Sequence, residues 1–305
     1  MAAVIPTQRW AVVLNPTKFT DPERVEAQIE QLCATHGWAR PAWYRTTQED
    51  PGRGQAQLAV QEGAELVCPL GGDGTVRAVA SSVVGTEARL GLLPAGTGNL
   101  LARNLGVPFD SLEAALTVAL TGRTARIDVG EVRWDGGDPD VFLVMAGMGL
   151  DAEMMAQVDE GLKRTVGWWA YVASGARAVF RLGFGVRVTA GTSRRVSQHA
   201  RTVLVGNCGQ VTGGVQLLPD AAVDDGLLDV VIASPNSLFA WVAVGLHIIT
   251  GNRRGHRELV HLRDQEIAAV TREPVEAQLD GDAVGRKKRM NCRVLPAALA
   301  VQLPS

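Results

Sequence analysis

Residues 66–75 run Leu66-Val67-Cys68-Pro69-Leu70-Gly71-Gly72-Asp73-Gly74-Thr75, and the architecture of the first half of the chain follows from them. LVCPL is short and apolar throughout, which suits a strand buried on both faces. It runs without a spacer into a turn carrying three glycines, and the segment Val76 to Val84 that follows has a helical pattern. In an open α/β sheet, ligands bind beyond the carboxyl ends of the strands. Glycines there let backbone N–H groups approach a phosphate, and a helix N-terminus favours an anion. Asp73 puts a carboxylate beside that anion site, where repulsion is costly without a bridging cation, so the turn suggests Mg2+ as well as phosphate. A tight turn that uses Asp and Gly for backbone reasons alone is the competing reading.

The surrounding sequence repeats the unit. Trp10 to Leu14 (WAVVL) is a strand ending at Asn15-Pro16, and Asp21-Pro22 offers an N-cap with proline at the first helical position. Val25, Ile29, Leu32 and Cys33 follow at helical spacing, with Gly37 as the stop. Ala42 to Arg45 is a second strand, Gln55 to Glu62 a helix ending at Gly63, and Leu90 to Leu93 a fourth strand leading into Ala95-Gly96-Thr97-Gly98-Asn99. Asp110-Ser111-Leu112-Glu113 has the form of a capping box before another helix. Alternating strands and helices imply a mostly parallel three-layer α/β domain. Three polar or glycine-rich loops, at Asn15-Pro16-Thr17-Lys18, Gly71 to Thr75 and Pro94 to Asn99, then leave one edge of that sheet. Together they form a nucleotide site.

After Arg126 the pattern changes. Ile127 to Trp134, Val141 to Ala146, Val186 to Thr189, Thr202 to Gly206, Gly226 to Ala233, Glu258 to Leu262, Ile267 to Thr271 and Val275 to Leu279 read as short strands, with helical patterns at about 151–160 and 166–181. This predicts a β-rich, sandwich-like second domain over 128–295, after an α/β domain over 1–127 that the final segment 296–305 could complete.

Composition sets the outer bounds. The 305 residues are 46% hydrophobic and 20% charged, an ordinary globular balance that excludes a disordered chain. The 34 glycines exceed average usage but have no three-residue period, which excludes collagen. A net charge of −2 gives no global footprint for nucleic acid, although 26 of the 30 basic residues are arginine and local patches occur. Cys33, Cys68, Cys208 and Cys292 are widely spaced without a CxxC pair, which argues against zinc and a disulfide framework and favours a reducing compartment. No signal peptide is visible, and the longest apolar run, 238–250, is too short to span a bilayer, which needs about 20 residues.

Other phosphate and hydrolase motifs are absent: there is no GxxxxGK[ST], HExxH or GxSxG. Gly147-Met148-Gly149-Leu150-Asp151-Ala152 matches GxGxxA, but Ala170 and Tyr171 stand where the ribose-binding acid of a dinucleotide site belongs. Asp220 and Asp225, with Val223 between them, form a turn with two carboxylates and a backbone carbonyl. That chemistry suits an oxygen-ligated Mg2+, and a solvated acidic turn is the alternative.

Gly71-Gly72-Asp73-Gly74-Thr75 followed by Gly96-Thr97-Gly98-Asn99-Leu100-Leu101-Ala102-Arg103 resembles the diacylglycerol kinase catalytic-domain family, which includes bacterial lipid kinases and sphingosine kinases. The likeness extends in family order through Asn15-Pro16, Gly147 to Ala152, Pro219-Asp220-Ala221, Asp225-Gly226-Leu227-Leu228-Asp229 and Leu279-Asp280-Gly281-Asp282, nearly the whole chain. The resemblance implies an ATP- and Mg2+-dependent lipid kinase with the nucleotide held between the two domains. By it, Asn15, Pro16, Thr17, Lys18 and Thr46 line the nucleotide loop, Gly71, Gly72, Asp73, Gly74 and Thr75 cradle the phosphates, and Thr97 and Asn99 contribute from the third loop. Asp280 takes the position of the proton acceptor for the lipid hydroxyl, and Asp73 organises Mg2+ near the transferred group. Asp220, Val223 and Asp225 take a structural metal role. Two departures stand out: Thr17-Lys18-Phe19 replaces a glycine that often follows Asn-Pro, and Asp282 replaces a glutamate.

The implied partner is a membrane lipid at a bilayer surface, with the protein cytoplasmic and peripherally associated. Oligomeric state stays open, a homodimer included. Candidate contact regions are the aromatic and basic stretch 166–182, the cluster Arg253, Arg254 and Arg257, and the run Arg286-Lys287-Lys288-Arg289. An NAD kinase sharing GGDGT and a non-catalytic lipid-binding protein of the same fold are the alternatives.

Overall fold

The computed structural model describes residues 9–149, 183–192, 194–211, 215–235 and 258–305. The chain divides into two compact units, Met1–Ile127 with Ala297–Ser305, and Asp128–Pro296.

The first unit is a parallel α/β sheet. In chain order it contains β1 (Trp10–Leu14), α1 (Pro22–His36), β2 (Ala42–Arg45), α2 (Arg53–Gln61), β3 (Leu66–Gly71), α3 (Asp73–Val83), β4 (Arg89–Leu90), β5 (Leu93–Pro94), α4 (Leu100–Asn104) and α5 (Leu112–Thr121). β1 pairs in parallel with β2 and β3, and β3 with β4 and β5. Every residue of β1 and β3 is buried, as strands covered on both faces require. Trp10, Val12, Leu14, Leu66, Cys68 and Leu70 pack with Ile29 and Cys33 of α1 and Leu116 of α5. The helix stops are local chemistry: Asp21 caps α1 through the Arg24 N–H at 3.0 Å, and Gly37 ends it in the left-handed region at φ 69°. Ser111 caps α5 through the Ala114 N–H at 3.2 Å, which leaves Glu113 one position short of a reciprocal capping box. Two expectations shift. α3 begins at Asp73, inside the glycine-rich turn, and the expected strand at Leu90 to Leu93 is two short strands.

The second unit is antiparallel. Its strands are β6 (Arg123–Trp134, entering from the first unit), β7 (Pro139–Phe142), β8 (Met145–Met148), β9 (Phe184–Ala190), β10 (Arg194–Ala200), β11 (Thr202–Gly206), β12 (Gln210–Val211), β13 (Val215–Gln216), β14 (Leu228–Ala233), β15 (Leu259–Asp264), β16 (Glu266–Leu279) and β17 (Asp282–Leu303). The main path runs β15-β14-β11-β8-β16-β17, with β9 on β16 and β10 on β9. Its core gathers Phe142, Met148, Val188, Val205, Val230, Ile232, Ile267, Leu279 and Met290. The α/β domain followed by a β-rich domain is as expected. Two strands expected at Ile267 to Thr271 and Val275 to Leu279 are one, with a register shift between Val270 and Val275. β10 and the 22-residue β17 have no counterpart in the sequence reading. The last residues of β17 return to the first unit, where Ala300 and Val301 pair in parallel with Arg89 and Leu90. The helical patterns at 151–160 and 166–181, with the aromatic and basic stretch 166–182, lie outside the described residues, as do Arg253, Arg254 and Arg257.

Candidate active site

In the first unit, three loops leave the carboxyl ends of β1, β3 and β5, and side chains lock them together. Asn15 Nδ2 donates to Thr75 Oγ1 at 3.1 Å, while its Oδ1 accepts from the Thr17 N–H at 3.1 Å and hydroxyl at 2.7 Å. This ties the first loop to the first turn of α3. Asn99, buried and left-handed at φ 48°, grips Gly96 on both sides: the Gly96 N–H donates to Oδ1 at 3.0 Å, and Nδ2 donates to the Gly96 carbonyl at 2.8 Å. Asp73 Oδ1 accepts the Leu100 N–H at 2.6 Å, fastening the third loop to the second. Arg103 Nε donates to the Gly98 carbonyl at 2.8 Å, and its guanidinium lies 3.9 Å from the Phe109 ring centre.

The glycines are required by approach. A Cβ on Gly96 would stand 2.7 Å from the Gly72 Cα, and one on Gly71 would stand 2.7 Å from the Thr75 Cβ. Gly72 differs: its Cβ would meet the Lys18 Cε at 3.6 Å and Nζ at 4.0 Å, which is ordinary contact. The Lys18 ammonium therefore hangs over the glycine turn. Gly72 is also the N-cap of the 11-residue α3, and no side chain caps that end. An uncapped helix start, a bare backbone and an overhanging ammonium suit a chain of phosphates. Thr97 is exposed at the tip of the third loop, and Pro16 is half-buried in the first. Thr46 is buried at the end of β2, where its N–H donates to the Leu14 carbonyl at 2.9 Å.

In the second unit, Asp280 and Gly281 form the two-residue turn between β16 and β17, with Leu279 paired to Asp282. Both have positive φ, 48° and 93°, as a type I′ hairpin turn demands, and Asp-Gly is a preferred pair for it. The Asp280 carboxylate is buried and accepts three consecutive backbone N–H groups: Leu143 on Oδ2 at 3.0 Å, Val144 and Met145 on Oδ1 at 2.9 Å each. Its own N–H donates to the Met145 carbonyl at 2.8 Å. The sequence marks the carboxylate and not this nest of N–H groups, because the nest lies more than 130 residues away in the chain.

The acidic turn around Asp220, Val223 and Asp225 comes together around an arginine. Arg263 on β15 ion-pairs with Asp225, donates to the Asp220 carbonyl at 3.2 Å, and sets its Nε 3.3 Å from Asp229. Asp225 also accepts the Leu227 N–H at 3.0 Å, and the Val223 carbonyl accepts the Asp128 N–H at 2.7 Å. Burial first, then the Asp220 charge, pushes the Asp229 carboxyl up to about 6. A guanidinium stands where a divalent ion would coordinate, so this arrangement does not fit Mg2+. Among the described residues, no group of three or more His, Cys, Asp or Glu is placed to hold a metal. Arg263 and Asp128 carried no signal in the sequence beyond being charged.

All four cysteines are buried and unpaired. Burial pushes Cys68, Cys208 and Cys292 well above the ordinary thiol range. No helix among the described residues is long and apolar enough to cross a membrane.

Comparison with known proteins adds the following. Residues 9–132 match the Diacylglycerol kinase catalytic domain, and residues 144–303 match the YegS C-terminal NAD kinase beta sandwich-like domain. A Pseudomonas aeruginosa protein named "Probable lipid kinase YegS-like" is 34% identical over 271 residues, 86% of this chain and 84% of its own. A Pseudomonas fluorescens protein of the same name is 31% identical over 98% of this chain and 96% of its own. A crystal structure of a diacylglycerol kinase from Bacillus anthracis superposes with a TM-score of 0.75 at 23% identity, covering 97% of both chains. Yeast NADH kinase superposes at 0.51 with 8% identity, over 98% of this chain and 84% of its own. The last two are likenesses of fold.

Proposed function

Since the chain belongs to the diacylglycerol kinase catalytic-domain family, a family of lipid kinases, we propose that it transfers the γ-phosphoryl group of ATP to the hydroxyl of diacylglycerol or a related lipid. The observation that carries this is the cradle of the first unit: Gly72 at an uncapped helix start, Gly96 against its backbone, and the Lys18 ammonium above them. Phosphoryl transfer asks a protein mainly for positioning and charge. Gly72, Gly74 and the first turn of α3 offer backbone N–H groups to the phosphates, and Lys18 adds a positive charge at the same place. Asn15, Thr17, Thr75 and Asn99 hold the loops in register, while Asp73 fixes the third loop to the second. Pro16, Thr46 and Thr97 are the remaining nucleotide contacts in this reading. Mg2+, for which Asp73 is the proposed ligand, supplies neutralisation of phosphate charge when bound. Asp280 is the proposed acceptor of the lipid hydroxyl proton.

In this reading the protein meets its lipid acceptor at a membrane surface, on the cytoplasmic side. Four unpaired, buried cysteines accord with that reducing compartment. The test is phosphotransfer from γ-labelled ATP with Mg2+ to detergent-dispersed diacylglycerol, with NAD as a parallel acceptor. Labelled phosphatidic acid is expected. Label on NAD, or on neither acceptor, overturns the reading.

A further inference from the structure

The register of β10, β9, β16 and β17 sorts the basic residues of the second unit onto one face. Ile267, Ala269 and Thr271 of β16 point into the core, so Ala268, Val270 and Arg272 point out. Opposite Val270 stand Arg187 of β9 and Arg289 of β17, and opposite Arg187 stands Ser197 of β10. Two residues along, Ala268 faces Thr189, which faces Arg195. In the other direction, the Arg272 side chain lies over Gly185, about 4.0 Å from where a Cβ would be, and Gly185 faces the exposed His199. With strands about 4.8 Å apart and alternate residues about 6.7 Å apart, four exposed arginines share a patch roughly 14 Å across.

None of the four is ion-paired among the described residues, whereas other arginines of this unit are. Arg293 and Arg133 pair with Glu131 at 2.8 and 3.7 Å, and Arg286 sits 3.9 Å from Glu276. The shallow cavity of about 290 Å3 at the Glu266 end of the face is lined by these balanced charges, Glu131, Arg133, Glu266 and Arg293. Asp135, beside Arg289, is engaged by the Lys288 and Arg289 N–H groups at 3.0 and 2.7 Å. The run Arg286 to Arg289 is thereby divided: Arg286 pairs locally and donates to the Pro274 carbonyl, and Arg289 joins the open face.

We propose that this face, with Arg187, Arg195, Arg272 and Arg289, docks the protein on an anionic lipid bilayer. The inference rests on the lipid-kinase reading for the choice of a membrane over other polyanions. Four adjacent strands present the guanidinium groups together to an array of headgroup phosphates, and each guanidinium pairs with phosphate through two parallel hydrogen bonds. Each basic residue near an anionic surface is worth about fivefold in affinity, so removing four weakens binding by roughly several-hundredfold at low salt.

The experiment is sedimentation with vesicles of phosphatidylcholine alone or of 3:1 phosphatidylcholine and phosphatidylglycerol, comparing the full-length protein with two variants. One carries Arg187→Gln, Arg195→Gln, Arg272→Gln and Arg289→Gln, and the other carries Lys at the same four positions. The unaltered protein and the Lys variant are expected to bind the anionic vesicles and release in high salt, while the Gln variant stays in solution with an unchanged melting temperature. Binding of the Gln variant within threefold of the unaltered protein, no binding by the unaltered protein, or equal binding to duplex DNA overturns the proposal. Phosphotransfer to detergent-dispersed diacylglycerol is run beside it. The Gln variant is expected to match the unaltered protein there, and no phosphotransfer by the unaltered protein, with its vesicle binding and the loss in the Gln variant as expected, sinks the kinase reading and not the face.

Discussion

Asp280→Asn separates two roles that meet in one side chain. Asparagine tolerates the left-handed backbone at this turn as well as aspartate does, so the change adds little backbone strain. The hydrogen bonds are another matter. Oδ1 can remain a carbonyl oxygen and keep the Val144 and Met145 N–H groups, but without charge. Oδ2 becomes an amide nitrogen facing the Leu143 N–H, donor against donor, in a buried place. Leaving one buried donor unsatisfied costs about 1–3 kcal/mol, and the two neutralised bonds lose roughly half their strength. The sum is about 3 kcal/mol. For a unit of this size that lowers the melting temperature by roughly 6–12 °C. Differential scanning calorimetry measures it directly, and a variant melting within about 2 °C of the unaltered protein refutes the three-donor geometry. If Asp280 also takes the hydroxyl proton, phosphotransfer falls by about 100-fold or more at a temperature where the variant is fully folded. A fall of less than tenfold there leaves Asp280 a structural turn residue only.

Other outcomes follow from named contacts. Gly96→Ala puts a Cβ 2.7 Å from the Gly72 Cα, so it should destabilise the first unit by about 1–3 kcal/mol in a urea titration. Gly72→Ala has room in the fold and should keep stability while weakening ATP binding in calorimetric titration, because its methyl occupies the cradle. With Arg263 in the acidic turn, 10 mM Mg2+ and EDTA should give the same melting temperature. Arg263→Gln should lose about 1–2 kcal/mol and then gain stability from Mg2+ or Ca2+. A thiol reagent should label none of the four cysteines in the native protein and all four in guanidinium.

The α/β unit was legible because its strands are apolar on both faces and its loops are marked by glycine and Asn-Pro. The cradle was legible for the same reason: Gly71 to Thr75 and Gly96 to Asn99 carry their meaning locally. The β-rich unit was harder. β17 places Arg289 and Arg293 on its outer face, and that alternation resembles a solvated turn until the partner strand supplies the other half. Asp282 and the Asp-Gly pair before it show the same limit. The sequence marks a carboxylate, while its three N–H partners come from the segment leading into β8. The acidic turn near Asp225 reads as a metal site only until Arg263, 38 residues on, is brought beside it. Local motifs announce backbone roles, and long-range charge pairing needs the fold.

The most direct test of the central claim is the identity of the phosphorylated product. The protein, γ-labelled ATP and Mg2+ are incubated with a total lipid extract and with NAD, and the labelled product is identified by mass. A phosphorylated lipid is expected, its mass corresponding to one phosphoryl group added at a free hydroxyl, with formation reduced by Gly72→Ala. Label on NAD, or lipid labelling that Gly72→Ala leaves unchanged, contradicts it.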